Sequence, residues 1–137
     1  MIQRRKTKSP AREGGQIVNK QRVADHGEVY TGKREVIAML NLVKQETERI
    51  ESKFLEPACG TGNFLVEILE RKLQVVIKRY KKSQVDFERY GIVAVSSIYG
   101  VDIIADNVEA TRGRLFEIFY NQYSELFKSR IKEKCLS

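Results

Sequence analysis

Proline is scarce in this chain: it occurs at Pro10 and Pro57 only, so no Pro-Pro pair exists. Cysteine is equally rare. Cys59 and Cys135 are too few for a disulfide framework or a zinc site, and a reducing, intracellular setting is the expectation. No apolar run approaches the roughly 18–20 residues of a membrane span, so no membrane partner is expected. The start, Met1-Ile2-Gln3-Arg4-Arg5-Lys6, lacks the apolar stretch of a secretory signal. A cytoplasmic location follows as an expectation. No internal repeat is present, and no low-complexity tract after residue 22.

What is present fits one small globular domain. The 137 residues are 42% hydrophobic and 31% charged, enough for a modest core. The net charge of +7 is uneven. Residues 1–22 hold seven Lys/Arg (Arg4, Arg5, Lys6, Lys8, Arg12, Lys20 and Arg22) and one acid, Glu13. Residues 23–137 hold 18 basic and 17 acidic residues. The basicity therefore belongs to a tail, residues 1–22, whose few large apolar side chains predict disorder. Such a tail is either a solvated leader or an arm that contacts phosphates. Residues 23–137 are the expected domain.

Segment 33–50 places Val36, Ile37, Leu40, Val43, Thr47 and Ile50 at three- and four-residue steps, which predicts one amphipathic helix. Lys53–Glu56 reads as a short buried strand ended by Pro57. Asn63–Lys81 is helical, with Phe64, Leu65, Ile68, Leu69, Leu73, Val76, Ile77 and Tyr80 on one face. Segment 84–96 suits a strand by propensity, but its length and the spacing of Val85, Ile92 and Val93 favour a buried helix. Ile98–Ile103 is the second strand. Asp106 or Asn107 is the expected cap of a helix reaching about residue 128, with Val108, Leu115, Ile118, Phe119, Gln122 and Leu126 inward. This order predicts an α/β fold with a parallel strand pair.

The segment most informative for function joins the first strand to its helix: Glu56-Pro57-Ala58-Cys59-Gly60-Thr61-Gly62-Asn63-Phe64-Leu65. Two glycines two apart allow a tight turn and close approach of a ligand to the backbone. A dinucleotide fingerprint would want glycine where Leu65 stands, and a phosphate loop would want lysine where Asn63 stands. Neither fits. Glu56 places a carboxylate at the strand end, suited to a cationic group. Asp102, at the end of the next parallel strand, is placed to accept hydrogen bonds from the ribose hydroxyls of a nucleoside bound at the turn.

These residues resemble the S-adenosylmethionine motif of the amino-methylating, adenine-specific DNA methyltransferases of restriction–modification systems. Ten consecutive positions of EPACGTGNFL fit, including Pro57, Ala58 and Cys59. Upstream, Asp25-His26-Gly27-Glu28-Val29-Tyr30-Thr31 resembles the preceding family segment, with Gly32 where proline is common. Downstream, Tyr99-Gly100-Val101-Asp102-Ile103, with Asn107 and Ala110, resembles the ribose-binding strand and its helix. The resemblance covers about residues 22–120. It implies a partial Rossmann-like class I methyltransferase fold, comprising the first two parallel strands and their flanking helices, and S-adenosylmethionine as cofactor. By the same resemblance, Tyr30 and Thr31 lie near the methionine carboxylate and Glu56 near the amino group. Gly60, Thr61 and Gly62 pass under the methionine and ribose, Asp102 holds the ribose hydroxyls, and Ile103 packs on adenine. Pro57, Ala58, Asn63 and Phe64 complete the expected cofactor-binding set. His26 is read as loop-shaping or hydrogen-bonding, and Cys59 as a small buried residue.

The family's later motif, Asp/Asn/Ser-Pro-Pro-aromatic, holds the adenine amino group and stacks on a flipped base. With no Pro-Pro pair, that motif is absent, and so is a target-recognition domain. Two strands of an expected seven leave an apolar strand edge open. The chain is therefore expected to be the N-terminal cofactor-binding part of a larger enzyme. Its DNA would be met through the complete enzyme, with a C-terminal half as a possible separate chain. The alternatives are a non-catalytic S-adenosylmethionine- or nucleic-acid-binding module and a remnant of a methylase gene. If residues 1–22 form a phosphate-binding arm, deleting them flattens the dependence of DNA affinity on salt concentration. An unchanged slope in filter-binding titrations contradicts the arm.

Overall fold

In the computed structural model of the chain, the backbone is described for residues 31–136 and side chains for residues 31–128. The tail at 1–22, His26 and Tyr30 lie outside the described residues. From Lys33 onward the chain forms one unit. Its elements are α1 (Lys33–Asn41), a single turn α2 (Lys44–Thr47), β1 (Phe54–Glu56), α3 (Asn63–Tyr80), α4 (Gln84–Ser96), β2 (Ile98–Gly100) and α5 (Ala105–Leu136). The class is α/β, and the two strands are parallel, with Phe54 opposite Ile98, Leu55 opposite Tyr99 and Glu56 opposite Gly100. Phe54 N–H donates to Ser97 O (2.9 Å), Val101 N–H to Glu56 O (3.0 Å) and Cys59 N–H to Val101 O (2.9 Å), so pairing continues past both strand ends.

Four sequence expectations need correction. The helix expected over 33–50 breaks after Asn41, where Leu42 and Val43 make three-residue turns to Met39 and Leu40. The break leaves Val43 exposed and turns Thr47 and Ile50 into the interior. The second strand stops at Gly100 rather than Ile103, because Asp102 Oδ1 accepts the Ile104 N–H (2.8 Å) and bends the chain toward α5. Asp106 and Asn107 lie inside the first turn of α5 and do not cap it; Ile104 O accepts the Asn107 and Val108 N–H groups.

The fourth correction concerns α4. It is a helix, as its length predicts, but Val85 and Ile92 face solvent, and the buried stripe is Phe87, Gly91 and Ala94. Gly91 is the cause. A β-carbon there would sit 2.7 Å from Phe119 Cε2, so the small residues take the close-packed face and the branched ones turn outward. Ser83 starts this helix, its hydroxyl accepting the Asp86 N–H at 3.3 Å.

The core has two parts. Ile50, Leu69, Leu73, Val76, Phe87, Ala94 and Phe127 form the larger. The edge-on rings of Phe87 and Phe127 (5.4 Å) tie α4 to α5 there. Tyr123 and Phe127 join the inward face of α5 that the spacing assigned to Leu115, Ile118, Phe119 and Leu126. Val36, Leu40, Leu65 and Ile68 form the smaller part, with Phe54 and Ile98 packed on it from one face of the sheet. Among the described residues nothing covers the opposite face, which is apolar. Leu55 is 67% exposed, Tyr99 49% and Val101 54%. Among the described residues, no helix is long and apolar enough to cross a membrane.

One buried cation ties the sheet to its surroundings. Lys72 of α3 is fully buried. Its Nζ donates to Ile50 O (3.0 Å), Ser52 O (2.5 Å) and Ser97 Oγ (2.7 Å), and lies 5.3 Å from the centre of the Phe54 ring. Three ammonium protons meet three acceptors, which binds the loop before β1 to the residue before β2. Burial pushes the Lys72 pKa down to about 8, against the opposing pull of Glu51 and Glu46. The unfolded lysine keeps its ordinary value of 10.5 and so holds more protons than the folded one between the two values. Stability from this group is therefore fully present above pH 10.5 and declines as pH falls to about 8. Lys72→Met strands acceptors in the interior, and a loss of about 3 kcal/mol is expected from urea unfolding at neutral pH. The gain in stability between pH 8 and 10.5 should shrink in that variant relative to the wild-type chain. An equal gain in both contradicts the assignment.

Candidate functional site

The turn between β1 and α3 is built by left-handed backbone at two glycines. Gly60 has φ +54° and Gly62 φ +87°, conformations that side chains disfavour. Gly62 N–H donates to Cys59 O (2.9 Å), and Gly62 O accepts the Val66 N–H (2.8 Å), opening α3. The two glycines do different work. A β-carbon on Gly62 would lie 2.7 Å from Thr111 Cγ2, so this glycine admits α5. A β-carbon on Gly60 would meet nothing within 4 Å, so the space beside it is open to a ligand.

Asp102 reaches this turn from the end of β2. Its Oδ2 accepts the Gly60 N–H at 2.9 Å, across 42 residues of sequence. Its Oδ1 accepts the Ile104 N–H (2.8 Å) and the Asn107 side-chain amide (3.3 Å). The expected carboxylate thus stands beside the expected turn. Three of its roughly four lone-pair positions are in use, which leaves room for one further hydroxyl donor. Ile103, next in sequence, is 84% exposed. Glu56 Oε1 accepts the Ala58 N–H (3.1 Å), which folds the Glu56-Pro57-Ala58 corner.

The other expected residues divide. Pro57 and Ala58 are exposed at the corner, and Thr61 and Asn63 are half-buried in the turn. Phe64 packs against the core patch of Val36, Leu40, Leu65 and Ile68. Thr31 belongs to the segment before Lys33, outside the unit that carries the turn and Asp102. Cys59 is half-buried, and burial pushes its thiol pKa up, which disfavours a nucleophilic thiolate.

Two residues of the site gave no sign in the sequence. Thr111 Oγ1 donates to Gly60 O (3.0 Å). Arg114 Nη1 donates to Thr61 O (2.7 Å) and Asn63 Oδ1 (2.8 Å). Both lie on α5, more than fifty positions from their partners, so no local pattern marks them. Hollows elsewhere among the described residues include two of note. One of about 600 Å³ lies along the two strands, lined by Lys53, Phe54, Leu55, Ile98 and Tyr99 among others. The other, about 420 Å³ and almost wholly apolar, lies between α4 and α5 at Ile92, Val95, Leu115 and Phe116. Among the described residues, no cluster of His, Cys, Asp and Glu could hold a metal ion.

No family model, curated protein or solved structure matches the chain. The site therefore rests on its own geometry. That geometry separates the glycines by experiment. Gly60→Ala carries only the left-handed backbone penalty, about 1–2 kcal/mol. Gly62→Ala adds overpacking against Thr111, about 1–3 kcal/mol more. Urea midpoints should rank wild type, then Gly60→Ala, then Gly62→Ala; the reverse order of the two variants contradicts the packing described.

Proposed function

We propose that this chain is the S-adenosylmethionine-binding portion of an adenine-specific DNA methyltransferase, built on the opening strands and helices of a Rossmann-like class I fold. The observation that carries the reading is the meeting of two distant signals. The Gly60–Gly62 turn at the end of β1 and the Asp102 carboxylate at the end of the parallel β2 are hydrogen-bonded to each other. A nucleoside ligand needs that pairing, a backbone with open space beside a strand-end acid.

The residues fit the cofactor. The open side of Gly60 accommodates the methionine chain. Asp102 keeps one acceptor position for a ribose hydroxyl, and the exposed Ile103 offers an apolar surface to adenine. Glu56 suits the ammonium group. When bound, S-adenosylmethionine supplies an electrophilic methyl group on a sulfonium. The groups that position an adenine amine as nucleophile come from a Pro-Pro-aromatic motif, which these 137 residues lack. The reading therefore assigns the chain cofactor binding, with DNA and methyl transfer engaged together with a polypeptide that carries that motif. The bare apolar face of Leu55, Tyr99 and Val101 supports the same reading, because parallel sheets bury both faces.

The second reading, a non-catalytic binding module, draws on the basic stretch at 1–22 and the missing motif. Reconstitution decides between them. The full chain is mixed with a methyltransferase half bearing the Pro-Pro-aromatic motif, DNA and tritiated S-adenosylmethionine. Label is expected in N6-methyladenine only when both polypeptides are present. Asp102→Asn, which removes a charged acceptor, should lower the rate about tenfold or more at limiting cofactor. No transfer with both halves folded and associated contradicts the methyltransferase reading.

A further inference from the structure

The glycine turn leaves one backbone donor open. Cys59 N–H, Gly60 N–H and Gly62 N–H each have a partner: Val101 O, Asp102 Oδ2 and Cys59 O. Gly60 O accepts the Thr111 hydroxyl of α5 (3.0 Å) and, at a longer 3.7 Å, the Cys59 thiol, and Thr61 O accepts Arg114 of α5. Among the described residues, Thr61 N–H is the amide of this turn with no hydrogen-bond partner. It belongs to the same peptide plane as Gly60 O. In a trans peptide the C=O and N–H point in opposite directions. Thr111, by holding Gly60 O, therefore aims the Thr61 N–H away from α5.

We infer that Thr111 and Arg114 are positioning residues that aim the Thr61 N–H as a donor to an anionic oxygen of the ligand. The identity of that ligand rests on the S-adenosylmethionine reading, in which the anion is the amino-acid carboxylate. The inference follows from the freedom of the turn. A peptide flanked by Gly60 rotates with little steric resistance, so without an anchor its N–H samples several directions. Thr111 fixes the Gly60–Thr61 plane, and Arg114 fixes the next plane through Thr61 O while also holding the side chain of Asn63, the first residue of α3. Asp102 grips the same Gly60 from the other side, so both ends of the β2–α5 segment hold one residue.

The test uses the full chain with Thr111→Val, Thr111→Ser, Arg114→Met and Arg114→Lys. Valine keeps the packing on Gly62 and removes only the hydroxyl donor. Two ligands are titrated by calorimetry: S-adenosylhomocysteine, which has the amino-acid carboxylate, and adenosine, which lacks it. Thr111→Val and Arg114→Met should weaken S-adenosylhomocysteine about tenfold, one hydrogen bond's worth, and change adenosine by less than about twofold. Thr111→Ser and Arg114→Lys should restore most of the loss. Equal weakening of both ligands, in step with lowered stability, assigns the pair a purely structural role and overturns the inference. Amide exchange in the ligand-free chain supplies the second readout. Protection at Gly60 and Gly62 should fall in Thr111→Val and Arg114→Met by more than the change in urea stability explains. If the wild-type chain binds neither ligand, the S-adenosylmethionine reading fails, and exchange alone decides whether α5 orders the turn. Wild-type protection in both variants overturns the positioning role.

Discussion

The hydrogen bond from the Gly60 amide to the Asp102 carboxylate is the constraint on which the site depends. It joins the turn after β1 to the residue just past β2, across 42 residues of sequence. The same carboxylate accepts the Ile104 N–H and the Asn107 amide, so it also ends β2 and turns the chain into α5. Once α5 is set, Thr111 and Arg114 reach back to the turn. One acid thus closes a ring of contacts through β2, α5 and the loop after β1. A group with this many duties has little freedom to move when a ligand arrives. It is preorganised, and under the proposed reading a ribose hydroxyl would meet an acceptor already in place.

A three-residue parallel pair is too short to stabilise itself. Lys72 supplies part of what the sheet lacks. Its ammonium draws the loop before β1 and Ser97, just before β2, onto α3, so both strands start from fixed points. The sheet rests on α3 through Phe54 and Ile98, whereas Leu55 and Tyr99 present an apolar face to solvent. Under the proposed reading, that bare face and the strand edges are surfaces that the rest of a larger sheet would cover.

Much of the fold was legible in the sequence because its signals are local. The 3.6-residue period of Leu65, Ile68, Leu69, Leu73 and Val76 marks α3, and all five are buried. The parallel pair followed from strand and helix order, and the turn from Gly60 and Gly62. Other features were illegible because their causes lie far away in sequence. The burial of α4 through Gly91 depends on Phe119, and side-chain periodicity cannot show a face chosen for smallness. Lys72 reads as a polar interruption of a helix until Ile50, Ser52 and Ser97 surround it. Thr111 and Arg114 carry no motif, and their importance comes only from the carbonyls they reach. Asp102 was legible as a strand-end acid, but its grip on Gly60 was not.

The central claim is that the Gly60–Gly62 turn and Asp102 form one ligand site. The most direct measurement is an amide-resolved NMR titration of the full chain with S-adenosylhomocysteine. Saturable shifts concentrated at Gly60, Thr61, Gly62, Asp102 and Ile103 are the predicted result. A folded chain that shows no shifts, or shifts confined to the apolar hollow between α4 and α5, contradicts the account.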